Sequence, residues 1–369
     1  MEKKSNRIIF LLPGCDIDAT TRKCVPVGGY KVVYEYANML SRDGYDVVLA
    51  FSHARCKYNN PFRHIYGFVG YLYRKYTSQL RAGEYFGLNP SIHKWFPYCY
   101  HRPFVPFRNT DLVFATAYYT AVELNNLSQI PLDNKYYFIQ DYEVWSARSE
   151  EVKASYSFGM HNIVIAPGLQ DIVSECGAES NLIPNGLDFQ RFAVNEPIED
   201  RSPFEIILLN HTLEHKRVQD SRTALEIVKR EIPELHVTMF GTCDAPKDMP
   251  SWYTYHHQPT GQELCDIYNS GAIYVAASDF EGFGLTVGEA MICGCAVACT
   301  DNGGFRCMAE NEKTALLSPV YDVEALAKNI IRLIKDNDLR HKIAYEGNLG
   351  IQHFTWEKSY QKLKALLFT

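Results

Sequence analysis

A chain of 369 residues is too long for one comfortable hydrophobic core and suits two ordinary domains. Its composition is globular, with 46% hydrophobic, 22% charged and 13% aromatic residues. The net charge of -6 leaves no overall basic excess to neutralise phosphates, which argues against a dedicated nucleic-acid binder.

The chain opens with "MEKKSNRIIFLLPGCD", a charged head followed by a six-residue apolar patch from Ile8 to Pro13. That patch is shorter than a secretory core segment and lacks a small-residue cleavage site, so a first β-strand is expected there. No apolar run approaches the roughly 18 residues of a membrane span. Eleven cysteines, an odd number without a C-x-x-C pair, suit a reducing, cytoplasmic compartment. After the first strand comes a loop rich in Asp, Thr and Gly, and then "GYKVVYEYANMLSRDG". In it Val32, Val33, Tyr36, Ala37 and Leu40 recur at helical spacing, and Gly44 stands where a helix would stop. "YDVVLAF" completes a βαβ unit, the seed of a parallel sheet.

Residues 62–108 form an unusual stretch, with fourteen aromatics, seven Lys or Arg and a single acid, Glu84. As a helical excursion packed on the first sheet, about half of those rings would be core. As a peripheral surface they would sit on an anionic membrane or stack on a glycan. The peripheral role would show as salt-sensitive binding to anionic vesicles, lost when Arg74, Lys75 and Arg81 become Ser. Further on, "DLVFATA", "KYYFIQD", "NIVIAP" and "SNLIPNG" read as short buried strands.

The polar run "NEPIEDRSP" then reads as a linker, and the pattern restarts. "FEIILLN", "LHVTMFG", "AIYVAAS", "CAVACT" and "TALLSP" are strands, alternating with helices such as "RVQDSRTALEIVKREIP" and "DVEALAKNIIRLIKDN". Two rounds of alternation predict two facing doubly wound α/β domains with the ligand site in the cleft between them. The expected domains are 1–190, with the excursion at about 55–108, then 191–353, and a terminal helix over 354–369 that packs back toward the first. The cluster Cys293, Cys295, Cys299 and Cys307 reads as small apolar residues of a buried strand, not as a metal site.

The stretch "SDFEGFGLTVGEAM" (278–291) puts Glu281 just past a strand end and Glu289 inside the following helix. Gly between them lets backbone approach a ligand closely, and the helix start is an anion site suited to phosphate. Carboxylates beside a phosphate should meet hydroxyls, and hydroxyls on both sides of a diphosphate describe a nucleotide sugar. The plainer alternative is a strand-to-helix turn with two solvated glutamates.

"EGFGLTVGEAM" resembles the glutamate-seven-residues-glutamate signature of family 4 glycosyltransferases, retaining enzymes of the GT-B fold. "TDNGGF", "TALLSP", "FTWEKS", "IPNGLDFQRF" and "PVGGYKVVYEYANML" are also similar to words of that family. "ATAYYTA" and "YYFIQDYEVW" resemble its bacterial branch that includes rhamnosyltransferases. The resemblance spans nearly the whole chain apart from about residues 52–108. It implies a hexosyltransferase that moves sugar from a nucleotide-diphosphate-sugar to a glycan or lipid-linked acceptor in cell-surface polysaccharide or glycoconjugate synthesis. The protein would be cytoplasmic or peripheral at the inner face of the plasma membrane, with the nucleotide sugar as co-substrate and no other cofactor.

By the same resemblance, Glu289 holds the ribose hydroxyls and Glu281 contacts the donor sugar. Gly282, Phe283, Gly284, Leu285 and Thr286 line the sugar and diphosphate, and Lys216 neutralises the diphosphate as a point charge. Gly28 and Gly29 match the amino-terminal loop over the phosphate. Gln140 stands where many relatives carry His, and it can hydrogen-bond the donor but not act as a base. His211 replaces the family's Arg five residues before the Lys, so the second phosphate cation would be Arg217, Arg22 or a protonated His211. Asp16-Ile17-Asp18 imitates the metal motif of another glycosyltransferase class, but its place after the first strand suits a chance match with Asp16, Asp18 and Asp141 on the acceptor side, and no metal. Two rivals stand beside this reading: a nucleotide-sugar epimerase, which needs no acceptor, and a non-catalytic glycan-binding partner subunit.

Overall fold

The computed structural model describes residues 7–14, 28–51, 69, 72–73, 82–84, 86–95, 107–144 and 147–368. Two compact units emerge: Met1–Ile165 with Leu169–Ile183, and Ala166–Gly168 with Pro184–Thr369. Each is built on one all-parallel sheet.

In the first unit the strands are β1 (Arg7–Leu12), β2 (Asp46–Phe51), β3 (His93–Trp95), β4 (Leu112–Ala115), β5 (Lys135–Ile139), β6 (His161–Val164) and β7 (Ser180–Leu182). They lie side by side in the order β3-β2-β1-β4-β5-β6-β7. "RIIFLL", "LVFA" and "KYYFI" are buried at every position, as strands covered on both faces must be. Helix α1 (Gly28–Arg42) buries Val32, Val33, Tyr36, Ala37 and Leu40, the residues that the sequence periodicity singles out. Three more helices follow: α2 (Tyr118–Asn125), α3 (Ser149–Tyr156) and α4 (Pro167–Glu175). Across four neighbouring strands the rings of Phe10, Phe114, Tyr136 and His161 stack at centroid spacings of 4.8, 4.8 and 4.9 Å. Such cross-strand ring pairs fix the register of an otherwise uniform apolar sheet.

Much of the aromatic and basic excursion, including Arg74, Lys75 and Arg81, lies outside the described residues. Among its described parts, Leu88 and Ile92 are buried and Phe86 packs 5.9 Å from Tyr34. The buried Asn38 side chain of α1 donates to Gly87 O and accepts from Asn89 N. Trp95 ends a strand that pairs with β2, and Arg7 lies 5.2 Å over its ring. These pieces are part of the first unit's core, whereas Val69 and Tyr73 are exposed.

The second sheet contains β8 (Glu205–Asn210), β9 (His236–Gly241), β10 (Tyr253–His257), β11 (Ile273–Ala276), β12 (Ala296–Thr300) and β13 (Leu316–Ser318), in the order β10-β9-β8-β11-β12-β13. Helices α5 (Val218–Glu231), α6 (Gln262–Ser270), α7 (Leu285–Ile292), α8 (Val323–Lys335), α9 (Asn337–Ile351) and α10 (Trp356–Phe368) complete this unit. Its core joins Ile206, Leu208, Val237, Ile273 and Val275 of the sheet to Leu225, Val228, Ile330 and Leu333 of the helices. Helix α10 is tied to this unit through Ser359 Oγ, which donates to Pro184 O at 2.6 Å.

One sequence reading changes here. The run "NEPIEDRSP" is pinned to the second unit and is no free linker. Arg201 is buried and donates to Glu196 O, Asn269 Oδ1, Gly271 O and Cys293 O. A buried guanidinium needs that many acceptors, and they hold the run against the sheet. Strand β10 also lacks the apolar signature, because an edge strand with a half-exposed face can be written "YTYHH". Among the described residues, no helix is long and apolar enough to cross a membrane.

Candidate functional site

In the second sheet the chain runs outward from β8 through β9 to β10, then returns to lay β11 on the other side of β8. Ligands of open α/β sheets bind beyond the carboxyl ends of the strands at such a reversal. Two loops leave the sheet there: 211–217 after β8 and 277–284 after β11.

A short 3-10 turn, Glu214–Lys216, brings Lys216 back over the strand end. Its ammonium donates to both oxygens of Glu281, at 2.8 and 2.7 Å, with the two side chains 20% and 10% exposed. One further bond reaches that carboxylate, and three more hold the loop that carries it. Ser278 Oγ donates to Glu281 Oε1 at 2.7 Å, Thr300 Oγ1 and Asn302 Nδ2 donate to Ser278 O, and Asp279 N donates to His215 O at 3.0 Å. Two of the three ammonium protons are thus used by Glu281, and no described residue takes the third.

Beyond Glu281 the chain turns into α7 through Gly284, whose φ of +91° is one that L side chains rarely adopt. The first bond of α7 runs from Val287 N to Gly284 O, so the N–H groups of Leu285 and Thr286 precede the ladder, as at any helix start. Phe283 is buried, with its ring 6.0 Å from Phe354, which anchors the turn. Gly304 closes in from behind: a Cβ there would stand 2.3 Å from Glu281 O. Glu289 lies one turn into α7, half-buried, and accepts a 3.0 Å bond from the buried hydroxyl of Tyr268 on α6. Burial, then the Glu289 charge, push the Tyr268 hydroxyl well above its ordinary value, so it stays a donor.

His211 accepts a 3.0 Å bond from Leu213 N at its Nδ1. Burial, then the neighbouring Lys216 charge, hold its pKa below the ordinary imidazole value. Both observations make it a neutral ring that donates from Nε2, which disfavours the protonated alternative. Arg217 is committed to Asp220 through two bonds of 2.8 and 3.1 Å. Arg22, Asp16 and Asp18 lie outside the described residues.

In the first unit, Gly28 and Gly29 open α1, and Gln140 follows β5. A Cβ on Gly29 would be 3.6 Å from Gln140 Oε1, an oxygen that is itself buried with no hydrogen-bond partner. Asp141 accepts from Tyr142 N at 2.9 Å. Glu143, which sequence reasoning missed, is buried and accepts from Tyr118 N at the start of α2. Burial raises its pKa to about 7. The signal was present: a second acid two residues past Asp141, in the loop that follows a buried strand. Tyr268, Ser278 and Asn302 were missed because their roles depend on tertiary neighbours.

Cys293, Cys295 and Cys299 are buried free thiols, and burial pushes Cys295 up to about 12. Among the described residues, no group of three or more His, Cys, Asp or Glu is placed to hold a metal.

Comparison with known proteins bears on the fold and on residues 190–349. The sequence pattern described as "Glycosyl transferases group 1" matches residues 190–349. A phosphatidyl-myo-inositol mannosyltransferase of Mycolicibacterium smegmatis is 24% identical over 191 residues, covering 49% of this chain and 49% of the relative. A D-inositol 3-phosphate glycosyltransferase of Saccharomonospora viridis is 28% identical over 103 residues, or 28% of this chain and 24% of the relative. The chain therefore spans between a quarter and a half of these curated relatives. In three dimensions, HepE of Anabaena, solved with UDP-glucose, superposes with a TM-score of 0.72 at 14% identity, over 98% of this chain and 99% of that one. Sucrose-phosphate synthase of Thermosynechococcus elongatus gives 0.68 at 16% identity, over 98% of each chain. The whole chain has the GT-B fold, and its residues 190–349 carry the group 1 glycosyltransferase pattern.

Proposed function

We propose that the protein is a retaining glycosyltransferase of family 4, which transfers a sugar from a nucleotide-diphosphate-sugar to a glycan or lipid-linked acceptor in cell-surface polysaccharide or glycoconjugate synthesis. The observation that carries this reading is the Lys216–Glu281 pair at the β8/β11 reversal, beside the open start of α7. A lone ammonium proton and unladdered N–H groups suit a diphosphate, and carboxylates held by Ser278 and Tyr268 suit sugar hydroxyls.

In this mechanism Glu289 accepts from the ribose hydroxyls, oriented by Tyr268, and Glu281 accepts from the donor sugar while steering Lys216. The bond from the anomeric carbon to the phosphate oxygen breaks as the bond to the acceptor oxygen forms on the same face. The acceptor proton passes to the departing phosphate oxygen. The protein's contribution is to stabilise charge growing on that diphosphate, through Lys216, the neutral His211 donor and the α7 N–H groups. In the first unit, Gln140, Asp141 and the Gly28–Gly29 turn are the groups assigned to phosphate and acceptor. The protein works without a metal in this scheme.

Calorimetric titration with UDP, GDP, dTDP and ADP in metal-free buffer tests the reading. One diphosphate should bind, and Glu289→Ala should weaken it about ten- to a hundredfold, the loss of a charged hydrogen-bond pair. Unchanged affinity in the variant would remove Glu289 from the ribose. Incubation with the sugar donor alone separates an epimerase, which converts it, from a transferase, which waits for acceptor.

A further inference from the structure

Among the described residues only four non-glycine residues have positive φ: Arg217, Gln258, Glu312 and Tyr321. Arg217, at φ 47° and ψ 39°, directly follows Lys216, and Tyr321, at φ 67°, directly precedes the Asp322 cap of α8. Left-handed backbone is unfavourable for such bulky side chains and persists where surrounding contacts over-determine it. These two residues lie against each other, the guanidinium carbon 5.1 Å over the tyrosine ring. The Tyr321 hydroxyl donates to Asp279 Oδ2 at 2.9 Å, although the ring is largely exposed. Asp279 in turn gives its N–H to His215 O.

A closed circuit results. Lys216 bonds Glu281; the loop of Glu281 is tied through Asp279 both to His215 and to Tyr321; and Tyr321 covers Arg217, one peptide bond from Lys216. We propose that Tyr321 is a positioning residue for the phosphate site: it clasps the two loops that carry Lys216 and Glu281 and fixes the direction of the Lys216 ammonium. Nothing in the circuit touches the ribose or the base, so its effect should fall on recognition of the diphosphate and the sugar beyond it, and spare the nucleoside. This rests on the reading that Lys216 meets that group.

Two variants separate the contributions of the clasp. Tyr321→Gly removes the ring and also the backbone strain, and Tyr321→Phe keeps the ring over Arg217 but loses the bond to Asp279. For whichever nucleotide the wild type binds, Tyr321→Gly should weaken the diphosphate at least fivefold while leaving the nucleoside unchanged and the melting temperature equal or higher. Tyr321→Phe should fall between. In a Lys216→Ala background the Tyr321→Gly effect should vanish. A drop of both ligands together with a lowered melting temperature, or no change in either, overturns the proposal. Hydrogen exchange without ligand supplies an independent reading: Tyr321→Gly should speed exchange of the Asp279 and Lys216 amides. Protection equal to wild type at both would also overturn it. Were wild type to bind no diphosphate, the functional reading would fail, and the exchange result would still decide whether the clasp exists.

Discussion

The two units share one strand order over six strands, to which the first adds a seventh, yet their carboxyl ends carry different chemistry. At the edge of the second sheet the charges are present and paired: Lys216 with Glu281, and Glu289 with the Tyr268 hydroxyl. At the edge of the first, two described polar groups beside Asp141 are uncharged or reluctant to charge. Gln140 presents a buried oxygen with no partner, and Glu143 is pushed by burial to about 7. A parallel sheet therefore dictates where a site lies, while the residues placed there decide what it can hold. An edge with fixed, paired charges suits an anionic ligand, and one with an unsatisfied amide oxygen suits a hydroxyl-bearing one.

The sharpest way to break that comparison is pH. Native Glu143 holds its proton more tightly than the unfolded chain does, so unfolding releases a proton between pH 4.5 and about 7. The first unit should thus lose stability as pH rises through that window. At about 1.4 kcal/mol per pH unit, the effect is on the order of 3 kcal/mol. His211 in the second unit works in the opposite sense. Its pKa is lowered, so below the ordinary 6.5 the unfolded chain takes up a proton first and stability falls with falling pH. Hydrogen exchange of β4 and β5 amides, read from pH 4.5 to 7.5, should show the decline in wild type and flatten it in Glu143→Gln. Equal slopes in both proteins would mean that Glu143 ionises normally, and the contrast between the edges would go with it.

The same contrast explains what could be read from sequence. Both sheets were legible because parallel strands buried on two faces are near-continuous apolar runs, as in "RIIFLL" and "EIILLN". The paired edge was legible in part: Glu281 is a charge just past a strand end, where no core reason places it, whereas Lys216 and the role of Glu289 inside α7 came from the family resemblance. The neutral edge was not. Glu143 becomes unusual only when α2 supplies the Tyr118 N–H and burial removes water. Tyr321 was equally silent, since its meaning lies in a backbone angle and in partners more than forty residues away along the chain, Asp279 at a separation of 42. The Cys-rich "CGCAVACT" illustrates the converse, an eye-catching pattern whose thiols are ordinary core.

A smaller test asks whether the paired edge is as tightly built as its hydrogen bonds suggest. A methyl group on Gly304 would stand 2.3 Å from Glu281 O and 2.6 Å from its Cβ, and both neighbours belong to a turn that cannot retreat without moving Lys216. Gly304→Ala should therefore cost about 1–3 kcal/mol, the usual penalty for overpacking. Among the described residues, Gly29→Ala at the other edge meets only the end of the Gln140 side chain, at ordinary contact distance of 3.6 Å, in a helix that tolerates Ala better than Gly. It should leave stability unchanged or raise it by up to about 1 kcal/mol. Urea unfolding of both variants against wild type measures the difference. If Gly304→Ala were as harmless as Gly29→Ala, the loop around Glu281 would have slack, and a rigid Lys216–Glu281 pair could not explain how the second edge selects its ligand.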